Sequence, residues 1–241
     1  MRKRLAFISE HASPLALCGG TDAGGQNVVV AELSRHLARL GYSVDIFTRK
    51  DDPVLPEIVQ WDRGVRVVHI PAGPPEPIPK EELLPYMDAF REGILRFSEK
   101  EGNPYRLIHA HFFMSALVAA DIRKQTGIPF VVTFHALGMV RREIQKEADR
   151  FPASRIDIEK RVIAEADCVV ALCPQDRRDL IRLYEADSTR IEQIPNGVDP
   201  EVFSARDKAA ARERLGWTAD ERVLLQLGRM VPRKGIDTVI E

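Results

Sequence analysis

The sequence lacks a paired cysteine framework and any long apolar run. Its three cysteines, Cys18, Cys168 and Cys173, predict free thiols in a reducing compartment, and we expect the last two to be buried because they lie in or beside an apolar run. No window approaches the ~18 consecutive apolar residues of a membrane helix. The basic start "MRKRLAFISEHAS" turns polar too early for a signal peptide. We therefore expect a cytoplasmic protein without an integral membrane segment.

The sequence also lacks an excess of either charge. It has 35 basic and 36 acidic residues and a net charge of −1, which gives no overall attraction to nucleic acid or to acidic lipid. Hydrophobic residues make up 44% of the 241 positions, enough for the core of one large domain or of one and a half domains. We therefore expect a globular protein that does not bind nucleic acid.

Two familiar phosphate-binding motifs are missing from a glycine-rich stretch that follows the first apolar run. The stretch has no Gly-Lys-Ser/Thr ending, and its spacing differs from G-x-G-x-x-G. It links a predicted strand over residues 4–9 to a predicted helix that ends near Gly41. Such a loop leaves backbone N–H groups open to an anion, most simply a phosphate, although a flexible surface loop is the alternative. Its glycines are Gly19, Gly20, Gly24 and Gly25.

Strand-like and helix-like runs alternate along the rest of the chain. This alternation predicts an α/β fold, a Rossmann-like open parallel sheet with helices on both faces. The further predicted strands cover residues 43–48, 65–70, 107–111, 130–134, 168–172, 191–194 and 223–227. The predicted helices cover residues 80–101, 115–126, 156–165, 175–184 and 205–215. A proline-rich loop precedes the helix predicted from Lys80.

Ligands of such sheets bind beyond the carboxyl ends of the strands, near the point where the strand order reverses. Histidines lie at or beside two of the predicted ends: His109 and His111 in "LIHAH", and His135 after "FVVTF". A single histidine is more often structural than catalytic. Three at one expected edge make chance a weaker explanation, so we regard them as site candidates.

The end of the chain differs in character from the rest. A turn, a charged helix, the strand predicted at residues 223–227, a basic loop and a helix start indicate the beginning of another α/β unit. We therefore expect residues 1–200 to form one domain and residues 201–241 to form a linker and the start of a second. Because an unpaired apolar strand is costly to expose, we expect the tail to be disordered or to pair with another sheet edge, in the same molecule or in a partner chain.

Four separated stretches together resemble one family. They are "GGTDAGGQNVVVAELSRHLARLGYSVDIFTR", "PYRLIHAHF" with "TFHALG", "SRIDIEKRVIAEADCVVAL", and "IPNGVDPEVF" with "GRMVPRKGIDTVI". In this order they resemble the N-terminal domain of retaining GT-B glycosyltransferases, in the group of sucrose-phosphate synthase and the mycothiol glycosyltransferase. The resemblance implies transfer of a hexose from a nucleotide-diphosphate sugar to an acceptor hydroxyl with retention. It implies that the nucleotide sugar is a co-substrate and that neither a cofactor nor a metal ion is needed.

The resemblance also implies roles on the donor side. The backbone at Gly24 and Gly25 would face the donor diphosphate, with Arg229 and Lys234 clamping it from the second domain. His135 matches the histidine that contacts the donor sugar near the reacting carbon. Negative charge develops on the departing phosphate, so fixed N–H donors and cations suit that place.

On the acceptor side, the resemblance implies roles for Gln26 and Asn27. Lys80, Arg141 and Arg155 match basic residues that relatives use for a sugar phosphate, and three cations suit a phosphate. Phe112 and Ala136 depart from the pattern, because relatives often have a tyrosine and a hydroxyl residue there. A phosphorylated sugar or polyol, a glycan and a lipid-linked acceptor therefore all stay open.

The family's second domain, with a glutamate pair for the donor, is expected to continue well past Glu241. We therefore expect the chain to be an incomplete and inactive N-terminal fragment, either expressed as such or naturally truncated. A non-catalytic phosphosugar-binding module is the main alternative. A Rossmann oxidoreductase fits less well, because the chain has no G-x-G-x-x-G and no acidic residue at the end of the second strand. A sugar-nucleotide epimerase would lack these family motifs.

Overall fold

The computed structural model describes residues 3–16, 24–228 and 235–240. The chain divides into two compact units, Met1–Pro195 and Asn196–Glu241. Among the described residues, the first unit is built on one sheet of eight strands, and the second has two short helices.

The sheet is parallel except at one edge. Its strand order is β3-β4-β2-β1-β5-β6-β7-β8, and β3 runs antiparallel to β4. The chain builds outward from β1 through β2 to β4 and β3, then returns to place β5 on the other side of β1. The strands are β1 Arg4–Ile8, β2 Ser43–Arg49, β3 Ile58–Asp62, β4 Val65–Ile70, β5 Tyr105–His111, β6 Phe130–Thr133, β7 Cys168–Ala171 and β8 Ile191–Gln193.

Helices cover both faces of this sheet, as the alternating pattern predicts. Phe7 packs in one core cluster under the first helix, whereas its neighbours Ala6 and Ile8 belong to the larger cluster on the opposite face. Burial on both faces explains why the central strands are almost continuously apolar. The helices of this unit are α1 Gly25–Arg39, α2 Met87–Lys100, α3 Phe113–Thr126, α4 Gly138–Gln145, α5 Arg155–Glu165 and α6 Pro174–Tyr184.

Several local predictions need correction. The helix predicted from Lys80 begins at Met87, because Pro85 confines the preceding residues to two 3₁₀ turns, Lys80–Glu82 and Leu84–Tyr86. Strand β3 and helix α4 were not predicted. Cys168 and Cys173 are free but only half-buried, so the prediction that both are buried is wrong.

The proline-rich loop is irregular, as predicted, and a buried arginine holds it. Arg49 ends β2 with 4% of its surface exposed. Its guanidinium donates to the carbonyl oxygen of Pro74 at 2.7 Å and also to that of Glu76. These contacts fix the loop that leads to Lys80.

The second unit contains α7, Lys208–Leu215, and α8, Ile236–Ile240. The strand predicted at residues 223–227 is wrong, since these residues have no regular secondary structure and belong to no sheet. A strand needs a hydrogen-bonding neighbour, and no strand of the described residues provides one. Leu224, Leu225 and Leu227 are consequently exposed.

Candidate functional site

The carboxyl ends of β1, β5 and β6 meet where the strand order reverses. The chain moves outward from β1 in one direction to β2 and in the other to β5, and open α/β sheets form their ligand crevice at such a point. His111 ends β5, and residues 9–11, 112 and 135 follow the three strands. This is the edge at which the sequence predicted a site.

The three histidines of that edge form a stack. The rings of His109 and His111 are 4.2 Å apart at an interplanar angle of 27°, and those of His111 and His135 are 5.3 Å apart at 21°. Two hydrogen bonds fix them: His109 Nε2 lies 2.9 Å from Thr133 Oγ1, and His111 Nδ1 lies 3.0 Å from His135 Nε2. The structure therefore brings together residues 24 positions apart in the chain.

All three imidazoles are neutral near pH 7. Burial, with a contribution from His135, lowers the pKa of His109 to about 3. Burial and the neighbouring histidines hold the pKa of His111 well below its ordinary value. Burial and the nearby His11 lower the pKa of His135 to about 4. A neutral ring at His135 can donate or accept one hydrogen bond at each nitrogen.

Two residues at this edge have unusual backbone conformations. His135 has φ of +59°, in the left-handed region, and Phe112 has φ of +85° and ψ of 163°. The conformation of Phe112 is one that glycine ordinarily adopts, and its cost is of order 1–3 kcal/mol. Strain of this kind clusters at functional sites, and here it marks the ends of the two neighbouring strands β5 and β6.

Gly24 and Gly25 lie at the start of α1, as predicted. Gly24 is extended, with φ of −170°, and an added Cβ at either glycine would meet no atom of the described residues within 4 Å. The described part of the chain therefore gives no steric reason for glycine at these two positions. Open space beside helix N–H groups is what a bound anion requires.

The structure uses Gln26 and Asn27 to hold the first turn of α1. Gln26 Nε2 donates to Ser9 Oγ at 3.2 Å and to the carbonyl oxygen of His111 at 3.3 Å. Asn27 is buried, accepts from the Gly24 N–H at 3.0 Å and donates to the Ser13 carbonyl oxygen at 2.9 Å. Through Gln26, the helix start is tied to the histidine stack.

Arg155 is buried beside Phe112. Its guanidinium carbon lies 4.5–4.9 Å from the ring centres of Phe112, Phe113 and Phe151. Its Nε donates to Glu159 at 2.8 Å and its Nη2 donates to the Ala136 carbonyl oxygen at 2.6 Å. Only 1% of Arg155 is exposed, so in this conformation it supports the loop after His135 and does not present a free cation to the crevice.

Arg141 is also paired within the chain. Its Nε donates to Asp149 at 2.8 Å, and Glu81 is 3.8 Å from its Nη2. The Arg141 guanidinium lies 4.9 Å from the centre of the Phe151 ring, which Arg155 also contacts. Lys80 is half-buried in the turn that carries Glu81. The structure therefore groups these predicted acceptor residues, but it surrounds the two arginines with carboxylates.

Sequence reasoning missed a second polar group at the end of β1. Glu10 is buried, and its carboxylate accepts from the Ser115 hydroxyl and lies 2.7 Å from His11 Nδ1. The His11 ring lies 5.1 Å from that of Phe112. The available signal was the run Ser9-Glu10-His11 directly after the first strand. Arg229 and Lys234, the predicted donor clamp, lie outside the described residues.

The described part of the chain contains no group of three or more His, Cys, Asp or Glu side chains that could hold a metal ion. Among the same residues, no helix is long and apolar enough to cross a membrane.

Comparison with known proteins gives concordant matches. The model of glycosyltransferase family 4 matches residues 23–202. A D-inositol 3-phosphate glycosyltransferase of Geodermatophilus obscurus is 40% identical over 99% of this chain and 54% of its own length. A second enzyme of that name, from Catenulispora acidiphila, is 42% identical over 98% of this chain and 56% of its own. The chain thus spans about half the length of these relatives.

Solved structures show the same fold. Sucrose-phosphate synthase from Thermosynechococcus elongatus superimposes with a TM-score of 0.88 at 34% identity, over 99% of this chain and 59% of its own. Anabaena Alr3699/HepE, solved in complex with UDP and glucose, has a TM-score of 0.58 at 16% identity, over 89% of this chain and 50% of its own. The second likeness concerns the fold alone.

Proposed function

Because the chain belongs to glycosyltransferase family 4, we propose that its full-length protein moves a hexose from a nucleotide-diphosphate sugar to an acceptor hydroxyl with retention at the anomeric carbon. Residues 1–200 are the acceptor-binding domain in this proposal. Residues 201–241 are a linker and the start of a donor domain, to which Arg229 and Lys234 belong. No cofactor besides the nucleotide sugar takes part.

One observation carries the proposal: a hydrogen-bonded chain joins the α1 start to the half-buried His135. Gln26 donates to the His111 carbonyl oxygen, and the His111 ring is bonded to that of His135. A diphosphate at the open backbone of Gly24 and Gly25 and a sugar at His135 would thus occupy one rigid frame. Charge that develops on the departing phosphate is best stabilised by donors that are fixed in advance.

The acceptor of this proposal stays open, and its donor class comes from the family. The two curated relatives are named for D-inositol 3-phosphate, and Anabaena Alr3699/HepE, which shares the fold alone, was solved with UDP and glucose. We include a sugar or polyol phosphate among the proposed acceptors, together with neutral glycans. Arg141 and Arg155 are each paired with a carboxylate. This arrangement therefore does not favour a strongly anionic acceptor over a neutral one.

The proposal is tested with the full-length protein and a panel of UDP-, ADP- and GDP-hexoses. Each donor is supplied with D-inositol 3-phosphate or, as the matched control, with D-inositol. Nucleotide release is measured, and the anomeric configuration of the product is read by NMR. Turnover with retention supports the proposal, whereas inversion contradicts it. Binding of the phosphate without turnover of any donor would favour a non-catalytic phosphosugar-binding module instead.

His135→Ala in the same assay examines the sugar-orienting role. We expect kcat to fall by about 10²–10³-fold with a modest change in the KM of the nucleotide sugar, since the substitution removes a hydrogen bond that acts mainly in the transition state. An unchanged kcat would return His135 to a structural role.

A further inference from the structure

His111 is buried in a way that the proposed function does not explain. It has no exposed surface, its Nδ1 bonds to His135, and its Nε2 has no hydrogen-bond partner among the residues that the structure describes. The ring lies between His109 and His135, with Phe7 5.1 Å away. A histidine is an expensive choice for such a place unless one of its nitrogens has a task, because an unpaired buried polar atom costs free energy.

The direction of the bond between His111 and His135 follows from that unpaired nitrogen. Both rings are neutral, so each carries one N–H. If His135 donated, the proton of His111 would be on Nε2, which would be a buried N–H without an acceptor. If His111 donates from Nδ1, its Nε2 carries only an unused lone pair. Buried N–H groups without partners are the rarer of the two in proteins, so the second arrangement is favoured.

This direction determines what His135 offers to a ligand. Its Nε2 accepts from His111, so its proton is on Nδ1. Within the described residues, the hydrogen bond of the His135 ring is made through Nε2 and none is made through Nδ1, and His135 is half-buried just beyond the end of β6. We propose that His111 is a positioning residue that donates to His135 Nε2 and thereby makes His135 Nδ1 a fixed hydrogen-bond donor for an oxygen of the bound ligand. A sugar hydroxyl as that oxygen rests on the proposed function.

The neighbours of His111 reinforce this orientation. Its backbone carbonyl accepts from Gln26, and the N–H of Phe112, the next residue, donates to the Thr133 carbonyl oxygen at 2.9 Å. The side-chain hydroxyl of the same Thr133 bonds to His109. The backbone around the His111 ring is therefore held by contacts of both β5 and β6, whose register places His111 opposite Thr133. A pre-oriented donor loses little freedom when the ligand arrives.

Three variants separate the hydrogen bond from the packing. His111→Phe keeps an aromatic ring in the stack but removes the donor. His111→Asn keeps an N–H close to the position of Nδ1. His109→Phe is the matched control, because His109 belongs to the stack but makes no hydrogen bond to His135.

The direct measurement is the tautomer of each histidine in the chain, from two-dimensional NMR of ¹⁵N-histidine-labelled protein at pH 7. We expect the proton of His135 on Nδ1 in the unaltered chain, in His111→Asn and in His109→Phe. In His111→Phe we expect it to shift to Nε2, the tautomer that isolated neutral histidine favours. A proton on Nε2 of His135 in the unaltered chain, or no shift in a folded His111→Phe, would overturn the inference.

Kinetics in the full-length protein give the second readout. His111→Phe should lower kcat about 10–100-fold with little change in the donor KM, the size of effect that supporting residues around reactive groups commonly have. His111→Asn should recover most of the activity. If no sugar transfer occurs in any form while the tautomers behave as expected, the proposed function fails and the role of His111 stands. If transfer occurs and kcat is equal in all variants, the role of His111 fails alone.

Discussion

The stacked histidines make the stability of the first unit dependent on pH. In the unfolded chain each imidazole takes up a proton near its ordinary pKa of about 6.5, whereas burial lowers the pKa of His109 to about 3 and that of His135 to about 4. The unfolded state therefore binds more protons between these values. The contribution of these buried neutral histidines to stability is present above pH 6.5 and is lost as the pH falls towards 4.

We expect the free energy of unfolding to decrease by about 1.4 kcal/mol per pH unit for each such histidine below pH 6. Urea unfolding at pH 7.5, 6.0 and 5.0 measures this slope. His109→Gln is the informative variant, because glutamine can keep the bond to Thr133 but does not titrate. The dependence of its unfolding free energy on pH should be weaker than that of the unaltered chain by the contribution of one titrating histidine. An identical dependence in both proteins would mean that His109 is protonated in the folded protein.

Arg155 illustrates how burial changes the value of an ion pair. Its side chain and that of Glu159 are 2% and 0% exposed, and the Glu159 carboxylate also accepts from the Gly138 N–H and the Tyr184 hydroxyl. Arg155→Ala would leave this carboxylate without its cation. We expect a loss of about 3–5 kcal/mol in the free energy of unfolding, measured by denaturant titration.

Arg182→Ala is the matched control, because Arg182 pairs with Asp179 at 3.5 Å but is 67% exposed. It should change stability by less than about 1 kcal/mol. Glu159→Gln should restore part of the stability of Arg155→Ala, since no uncompensated charge is then buried. Equal effects of the two arginine substitutions would show that Arg155 is not held as described.

At the scale of elements, apolar periodicity predicted the central strands and most helices because each has a buried face. It failed where burial is weak or turn chemistry dominates. Strand β3 lies at the sheet edge and is only partly covered, so it has no strong alternation. In helix α1, apolar residues are not confined to the buried face: Val28 and Leu40 are exposed, whereas Val30 is buried.

The candidate site shows a similar division. Strand ends and glycines could be located from the sequence, and so could the histidines. The pairing of Arg141 with Asp149 and the bond between His111 and His135 could not, because both depend on how loops from different strands come together. The positive φ of Phe112 and His135 likewise has no signal in residue type.

Two glycines in helices differ in their surroundings: Gly93 is required for the packing of a helix on a strand, whereas Gly25 lies in open space among the described residues. A Cβ at Gly93 would lie 2.3 Å from Ile70 Cγ2, where α2 packs on β4, whereas one at Gly25 would meet no described residue within 4 Å. We expect Gly93→Ala to destabilise the fold by about 1–3 kcal/mol through overpacking.

Gly25→Val should leave the thermal midpoint nearly unchanged and should impair use of the nucleotide sugar by the full-length protein. Normal donor kinetics in Gly25→Val would remove the phosphate-binding role from this loop.

At the scale of the whole molecule, the second unit exposes a short apolar segment. Leu224, Leu225 and Leu227 are each at least 79% exposed, and no strand of the described residues pairs with their backbone. An exposed apolar segment of this kind readily adds to another strand. We therefore expect the 241-residue chain to self-associate as its concentration rises, by pairing of this segment with the same segment or with a sheet edge of another copy.

Sedimentation velocity over a hundredfold range of concentration measures this association. Leu225→Glu should shift the chain to monomer, because a charge in the segment disfavours strand addition. Leu40→Glu is the matched control: Leu40 is 75% exposed, but it caps the end of helix α1 in the first unit, where its N–H donates to the His36 carbonyl oxygen, so association should persist. A chain that stays monomeric at every concentration, or one that Leu40→Glu dissociates equally well, would show that these leucines do not drive the contact.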